Sequence, residues 1–385
     1  MSRARTARRL ALALVLALSP VAQEAAAQEV PAQEVDAPGA HARGVAWLVA
    51  RQNDDGSWGS FHSTRPGEIY LGTVASLRAF GQATTALCAL ALQRPARHDP
   101  AARAALDRAV ERLLADPPVL RAQGDTFYDT WTHVYMVEAL AALEHDPAYG
   151  ERKAALGEAL RREVALLCER QSADGGWGYY DFDHGLARPS GLESTSFLTG
   201  AALLALQAAA EVGVTCDGRV VEAGLRCLER LRLPDGAFVY GTYLLPYPAH
   251  LANRAKGSLG RAQPCELALW SHGRSSPERL AAAVERLREQ HHFLAIGRGR
   301  PYPHEAWYYT AGYYVLFGRY YAARALAVLP DDERADAAAW LAATTARDQG
   351  PSGSWFDFPL YGFHEAYGTA YALLTLQALR ADEPR

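Results

Sequence analysis

No run of about 18 uninterrupted apolar residues occurs in this 385-residue chain, so no segment is long enough to cross a bilayer as a helix. No stretch alternates apolar and polar residues over a useful strand length, which leaves an all-α class. None of the five cysteines (Cys88, Cys168, Cys216, Cys227, Cys265) is spaced C-x2-C, which excludes a zinc ribbon. A basic patch is also missing. The formal charge is −4, so neither nucleic acid nor an anionic membrane surface is expected as a partner.

What is present begins with a leader. Arg3, Arg5, Arg8 and Arg9 precede an apolar run from Leu10 to Leu18, and Ala25-Ala26-Ala27 offers a small-residue cleavage site. This pattern predicts a secretory signal peptide over 1–27, a mature chain starting near Gln28, and a secreted or periplasmic location. Its removal makes the chain more acidic. Residues 28–40, rich in Ala, Glu, Gln and Pro, read as a flexible lead-in. Nearly half of the residues are hydrophobic, ample for one shared core. The cysteines read mostly as buried thiols, since free Cys is among the most buried residue types.

One recurring stretch organises the rest. Its first copy has Arg43-Gly44, Trp47-Leu48, Gln52, Gly56 and Trp58, spaced R-G-x2-W-L-x3-Q-x3-G-x-W. The spacing returns at Arg162, Leu166-Leu167, Gln171, Gly175 and Trp177. It returns again at Gly224, Cys227-Leu228, Arg232, Gly236 and Phe238, and more loosely at Trp340-Leu341, Gln349, Gly353 and Trp355. The aromatic ends lie roughly two, one and two units of about sixty residues apart, the signature of a repeat architecture.

The stretch resembles the QW repeat of the squalene cyclase and protein prenyltransferase superfamily. That resemblance implies an (α/α)6 toroid, a ring of inner and outer helices, over residues 41–385. The expected outer helices are about 41–52, 100–115, Lys153–Gln171, Gly218–Leu231, Pro277–Gln290 and Asp332–Arg347. The expected inner ones are about 80–93, Tyr128–Leu143, Leu192–Ala210, Pro264–His272, His304–Leu329 and His364–Leu379. The segment near 80–93 is small or apolar on all sides, as a buried helix must be.

Inner-helix starts would face a central cavity, so polar residues there are the site candidates. His304-Glu305-Ala306-Trp307 and His364-Glu365-Ala366-Tyr367 match and lie sixty residues apart. Asp125, Asp129, Glu193, Cys265 and Glu266 fall at comparable places, and Asp183 lies in the acidic, aromatic loop Tyr179–His184. Carboxylates and imidazoles around an aromatic pocket suit acid/base work, with His304, Glu305, His364, Glu365 and Glu193 as the catalytic candidates. Acids in a first helical turn are also stabilising for their own sake. Tyr128, Trp131, Tyr309, Tyr313 and Tyr367, with Trp307 and the neighbouring Tyr135 and Tyr371, would line an aromatic cavity. Such a cavity can hold a polyprenyl chain, face a carbocation or stack on sugar rings.

Set against the superfamily, several motifs depart. Leu192-Glu193-Ser194-Thr195 stands where cyclases that protonate a polyene carry Asp-x-Asp-Asp-Thr. Asp331, Asp332 and Asp336 miss a magnesium pattern by one residue. Gln263 replaces the Asp of the prenyltransferase Asp-x-Cys zinc site, although Cys265 and His364 stand at plausible places. No metal or other cofactor is therefore expected. The function implied by the resemblance is an exported toroid binding or acting on an isoprenoid or other apolar small molecule. The alternatives are a non-catalytic toroid that binds a ligand or protein, and a polysaccharide lyase-like enzyme served by Arg261, Arg298 or Arg300.

Overall fold

The computed structural model describes residues 36–65, 73–120, 128–178 and 193–380. The leader, most of the lead-in, and Asp125, Asp181 and Asp183 lie outside the described residues. Among those described there is no β-strand, only isolated bridges.

In the described residues twelve α-helices follow one another in pairs: α1 (Ala37–Ala50), α2 (Val74–Leu92), α3 (Pro100–Ala115), α4 (Asp129–Glu144), α5 (Lys153–Glu169), α6 (Ser196–Glu211), α7 (Gly218–Leu231), α8 (Ala262–Ser271), α9 (Pro277–Ala295), α10 (Tyr314–Leu326), α11 (Asp331–Arg347) and α12 (His364–Ala378). The even-numbered helices pack in sequence from α2 to α12, and α12 packs back on α2. They form the inner ring, and the odd-numbered helices back them. Composition explains the division. α2, α4, α6 and α10 bury residues around their whole circumference, whereas α3 buries only Ala102, Ala105, Leu106, Ala109, Val110 and Leu113 as one stripe.

The recurring stretch forms the turn after α1, α5 and α11. The buried indoles of Trp58, Trp177 and Trp355 donate Nε1–H to the carbonyls of Leu48 (2.8 Å), Leu167 (2.8 Å) and Thr345 (2.7 Å), each ten residues back. Gln52, Gln171 and Gln349 brace the same turns and reach onward, donating to carbonyls of the next outer helix: Ala105 (2.8 Å), Val220 (2.7 Å) and Ala40 (2.9 Å). Gly175 and Gly353 adopt φ +92°, a conformation that costs glycine little. The glycine of the next repeat makes room for the indole. A Cβ on Gly224 would stand 2.8 Å from Trp177 Cζ3, and one on Gly44 would stand 2.7 Å from Trp355 Cζ3. Repeat six is thus locked to repeat one by the same contacts that lock repeat three to repeat four.

Two expectations need correction. α1 starts at Ala37, capped by Asp36 and helped by Pro38 in its first turn, so the last residues of the expected lead-in are helical. The fifth inner helix starts at Tyr314, not His304. Pro301 and Pro303 precede His304, and positive φ values at His304, Tyr308 and Tyr309 break any α-helix there.

Candidate functional site

The inner ring encloses a cavity of ≈210 Å³. Phe80 and Leu87 of α2, Tyr128, Trp131 and Tyr135 at and along α4, Phe197 of α6, Tyr314 and Phe317 of α10 and Tyr367 and Tyr371 of α12 supply its wall. Arg65, Pro303, His304, Tyr313, Phe358 and Leu360 complete it. Eleven of the eighteen lining residues are Phe, Tyr or Trp, and none of the described ones is Asp or Glu. Trp131 is central. It stacks on Tyr135 at 5.6 Å and on Phe197 at 6.1 Å, while Phe317 meets it edge-on at 5.6 Å.

The polar groups sit at the ends. His304 Nδ1 lies 2.7 Å from the Tyr309 carbonyl, so that nitrogen carries the proton, and Nε2 is left as an acceptor for the Tyr313 hydroxyl at 3.1 Å. Tyr240 brings a second hydroxyl to Nε2 at 3.5 Å. Burial, aided by the nearby Arg261 cation, holds the His304 pKa below the usual imidazole value. The ring is therefore neutral at pH 7 and offers a base. At the other end the Tyr135 and Tyr371 hydroxyls bond each other, and burial pushes both far above the usual phenol range. Behind them Glu138 pairs with Arg324, which also lies over the Tyr320 ring.

Asp357 is a buried carboxylate that touches this arrangement. Tyr367, which lines the cavity, donates to its Oδ1 at 3.1 Å, and the Leu316 amide donates to Oδ2 at 2.9 Å. Burial pushes its pKa up to about 6. Asp357 thereby caps the first turn of α10 from another loop and orients Tyr367. The five described non-glycine residues with positive φ are Tyr128, His304, Tyr308, Tyr309 and Tyr361. All lie in the segments that enter α4, α10 and α12, where such strain of ~1–3 kcal/mol each is held by the surrounding packing.

Of the residues singled out from sequence, the structure brings Tyr128, Trp131, Tyr135, His304, Tyr313, Tyr367 and Tyr371 together on the cavity. The others are elsewhere. Asp129 is fully buried in an ion pair with Arg170 at 2.6 Å, and Glu266 is paired with Arg232 at 3.1 Å. Both acids point to the outer layer. Cys265 is buried and donates to the Arg261 carbonyl within α8. Glu365 accepts from Ser354 at 3.0 Å and braces the turn before its own helix, while His364 Nδ1 bonds the Tyr361 carbonyl at 2.6 Å. Glu305 and Trp307 are exposed, Trp307 at 77%. Tyr309 is also exposed and packs on His250 at 4.8 Å. Glu193 precedes α6 and does not line the cavity.

Of the two His-Glu pairs, only His304 therefore lines the cavity. His304 lies ten residues ahead of α10, whereas His364 opens α12, so equal sequence did not give equal register. Arg65, Phe80, Phe197, Phe358, Tyr240 and Asp357 were missed. A single Phe among the small residues of α2 and of α6 was a signal that could have found two of them.

Residues 21–244, more than half of the chain, match the squalene-hopene cyclase C-terminal domain. Drimenyl diphosphate synthase of Streptomyces showdoensis is 30% identical over 208 residues, 52% of this chain and 33% of that protein. Squalene-hopene cyclase of Zymomonas mobilis subsp. mobilis is 27% identical over 208 residues, 51% of this chain and 29% of that protein. The chain thus matches about a third of the length of these curated relatives. Among solved structures, the GH76A alpha-1,6-mannanase of Salegentibacter sp. HEL1_6 aligns with a TM-score of 0.53 at 11% identity, covering 90% of this chain and all of that one. That likeness concerns the fold alone. With the family match and a closed ring of six inner helices, the chain belongs to the squalene-hopene cyclase C-terminal domain family, within the terpenoid cyclase superfamily.

Proposed function

We propose that the protein binds an isoprenoid or another apolar ligand in the aromatic cavity, with His304 and Tyr313 at the polar end, and that it does so as an exported protein. The observation that carries this reading is the lining: ring faces and aliphatic carbons, with no acidic side chain among the described residues. Each buried methylene-sized group contributes about 0.8 kcal/mol, so a five-carbon isoprene unit gains about 4 kcal/mol before the cost of association. The volume of ≈210 Å³ lies below the ~300–1,000 Å³ of pockets for drug-sized ligands. It favours a short chain over a triterpene. Ring faces such as Trp131 also suit a cationic or electron-poor ligand.

Binding is favoured over protonation-driven cyclisation. An alkene needs a strong acid, whereas His304 is neutral at pH 7 and Asp357 sits behind Tyr367. Glycoside hydrolysis needs two carboxyl groups flanking one bond, and none of the described lining residues supplies even one. In native mass spectrometry, protein purified from the exported fraction should begin near Gln28 and retain an apolar small molecule. Stripped protein should take up geraniol or farnesol in preference to squalene, and Trp131→Ala should weaken uptake at least tenfold. An intact Met1, or equal uptake by the wild type and Trp131→Ala, would overturn the corresponding half of the proposal.

A further inference from the structure

A second pocket opens on the opposite face of α2. Along this helix Phe80, Ala83, Thr84 and Leu87 look into the aromatic cavity, while Arg78, Gly81, Gln82 and Thr85 line a separate polar pocket of ≈270 Å³ between α2, α3 and the turn after α1. Phe80 and Phe363, whose rings are 6.2 Å apart, stand between the two.

Three features of this pocket point to a ligand. Gln82 is 5% exposed, and its Oε1 has no hydrogen-bond partner among the described residues. A buried amide oxygen left unpaired costs about 1–3 kcal/mol, and Gln82 Oε1 is such an oxygen among the described residues of this pocket. The charges offset one another. Arg112 bridges Asp55 and Asp116, each at 2.8 Å, and Arg78 adds a cation, so two carboxylates meet two guanidinium groups. The rim carries Phe61, 55% exposed and packed on Phe363 at 6.0 Å, which presents a flat apolar face beside the polar groups.

We infer that this pocket binds a neutral polyhydroxylated ring, a single monosaccharide unit. Balanced charge selects against an anion or a cation. Planar donors and acceptors (the Gln82 amide, Asn53, and the Asp55–Arg112–Asp116 chain) suit vicinal hydroxyls, each of which both donates and accepts. Phe61 suits the C–H face of a pyranose. The aromatic cavity plays no part in this assignment, and the polar pocket could fail while the cavity reading stands.

The test uses the full chain with methyl α-mannoside, methyl β-glucoside and methyl β-galactoside as probes, read by saturation-transfer NMR and calorimetry. Sodium sulfate and ethylamine serve as charged controls. At least one glycoside should bind saturably. Gln82→Leu, which removes the amide at similar volume, and Phe61→Ala, which removes the exposed ring face, should each weaken it about tenfold, or ~1.4 kcal/mol. Farnesol uptake should be unchanged in both variants. Three outcomes would overturn the assignment: no glycoside binds, the charged controls compete with or replace the sugars, or Phe61→Ala binds as the wild type does.

Discussion

Replacing Trp177 by Ala tests the ring at its most repeated contact. The indole is fully buried, its Nε1–H donates to the Leu167 carbonyl, and its ring fills the space above Gly224 in the next repeat. A buried Trp→Ala change costs ~3–5 kcal/mol through lost transfer energy and the remaining cavity. The lost hydrogen bond adds about 1 kcal/mol, a modest amount because the Leu167 carbonyl keeps a contact from the Arg170 amide at 3.2 Å. Together this reaches roughly 4–6 kcal/mol against a total stability of ~5–15. Urea unfolding followed by far-UV circular dichroism should therefore show a large drop in midpoint, while Trp177→Phe, which keeps most of the buried area, should lose only a fraction of that. An unchanged midpoint in Trp177→Ala would refute the clamp. A Phe variant as damaged as the Ala one would show that the hydrogen bond, not packing, dominates.

Two buried groups should pull stability in opposite directions with pH. Burial holds His41 down to about 4, so the unfolded chain protonates first and stability falls as pH drops from ~6.5 to ~4, by roughly 3 kcal/mol. Asp357, raised to about 6, takes its proton more readily when folded, so its contribution rises as pH falls from ~6 towards ~4. Asp357→Asn should steepen acid destabilisation and His41→Gln should relieve it; denaturation midpoints showing the same pH slope in both variants and the wild type would refute the assignment. The Cys168 thiol at the end of α5 and the Cys216 thiol just before α7 lie near enough to perturb each other's ionisation. Treatment with oxidised glutathione, which accepts the two electrons, should join them. Thiol titration in denaturant should then find two fewer free groups, a change that Cys216→Ser prevents.

The outer helices and their turns were legible because the chemistry of each turn is local. Trp177, Gln171 and Gly175 act within ten residues of one another, and their spacing alone describes the hydrogen bonds they make. The site was legible only in part. Tyr128, Trp131 and Tyr313 showed themselves by aromatic density, but density has no period, and the run from Trp307 to Tyr313 read as helix although Pro303 and three left-handed residues forbid it. Acids near the inner-helix starts misled for a different reason. Asp129 and Glu266 meet Arg170 and Arg232, partners that the sequence places 41 and 34 residues away, and no local pattern shows such pairing. Asp357 was invisible because its role, holding the Leu316 amide and Tyr367, exists only once two repeats are brought together.

The lock between Trp355 and Gly44, with Gln349 reaching Ala40, gives the ring no end repeat. An open stack of helical hairpins frays from its outermost unit, which touches one neighbour only. Here every pair is held on both flanks, and releasing any one of them turns two inner seams into edges at once. Local opening is thereby tied to opening of the whole circle, and the inner ring stays closed even at α8, a helix of only ten residues.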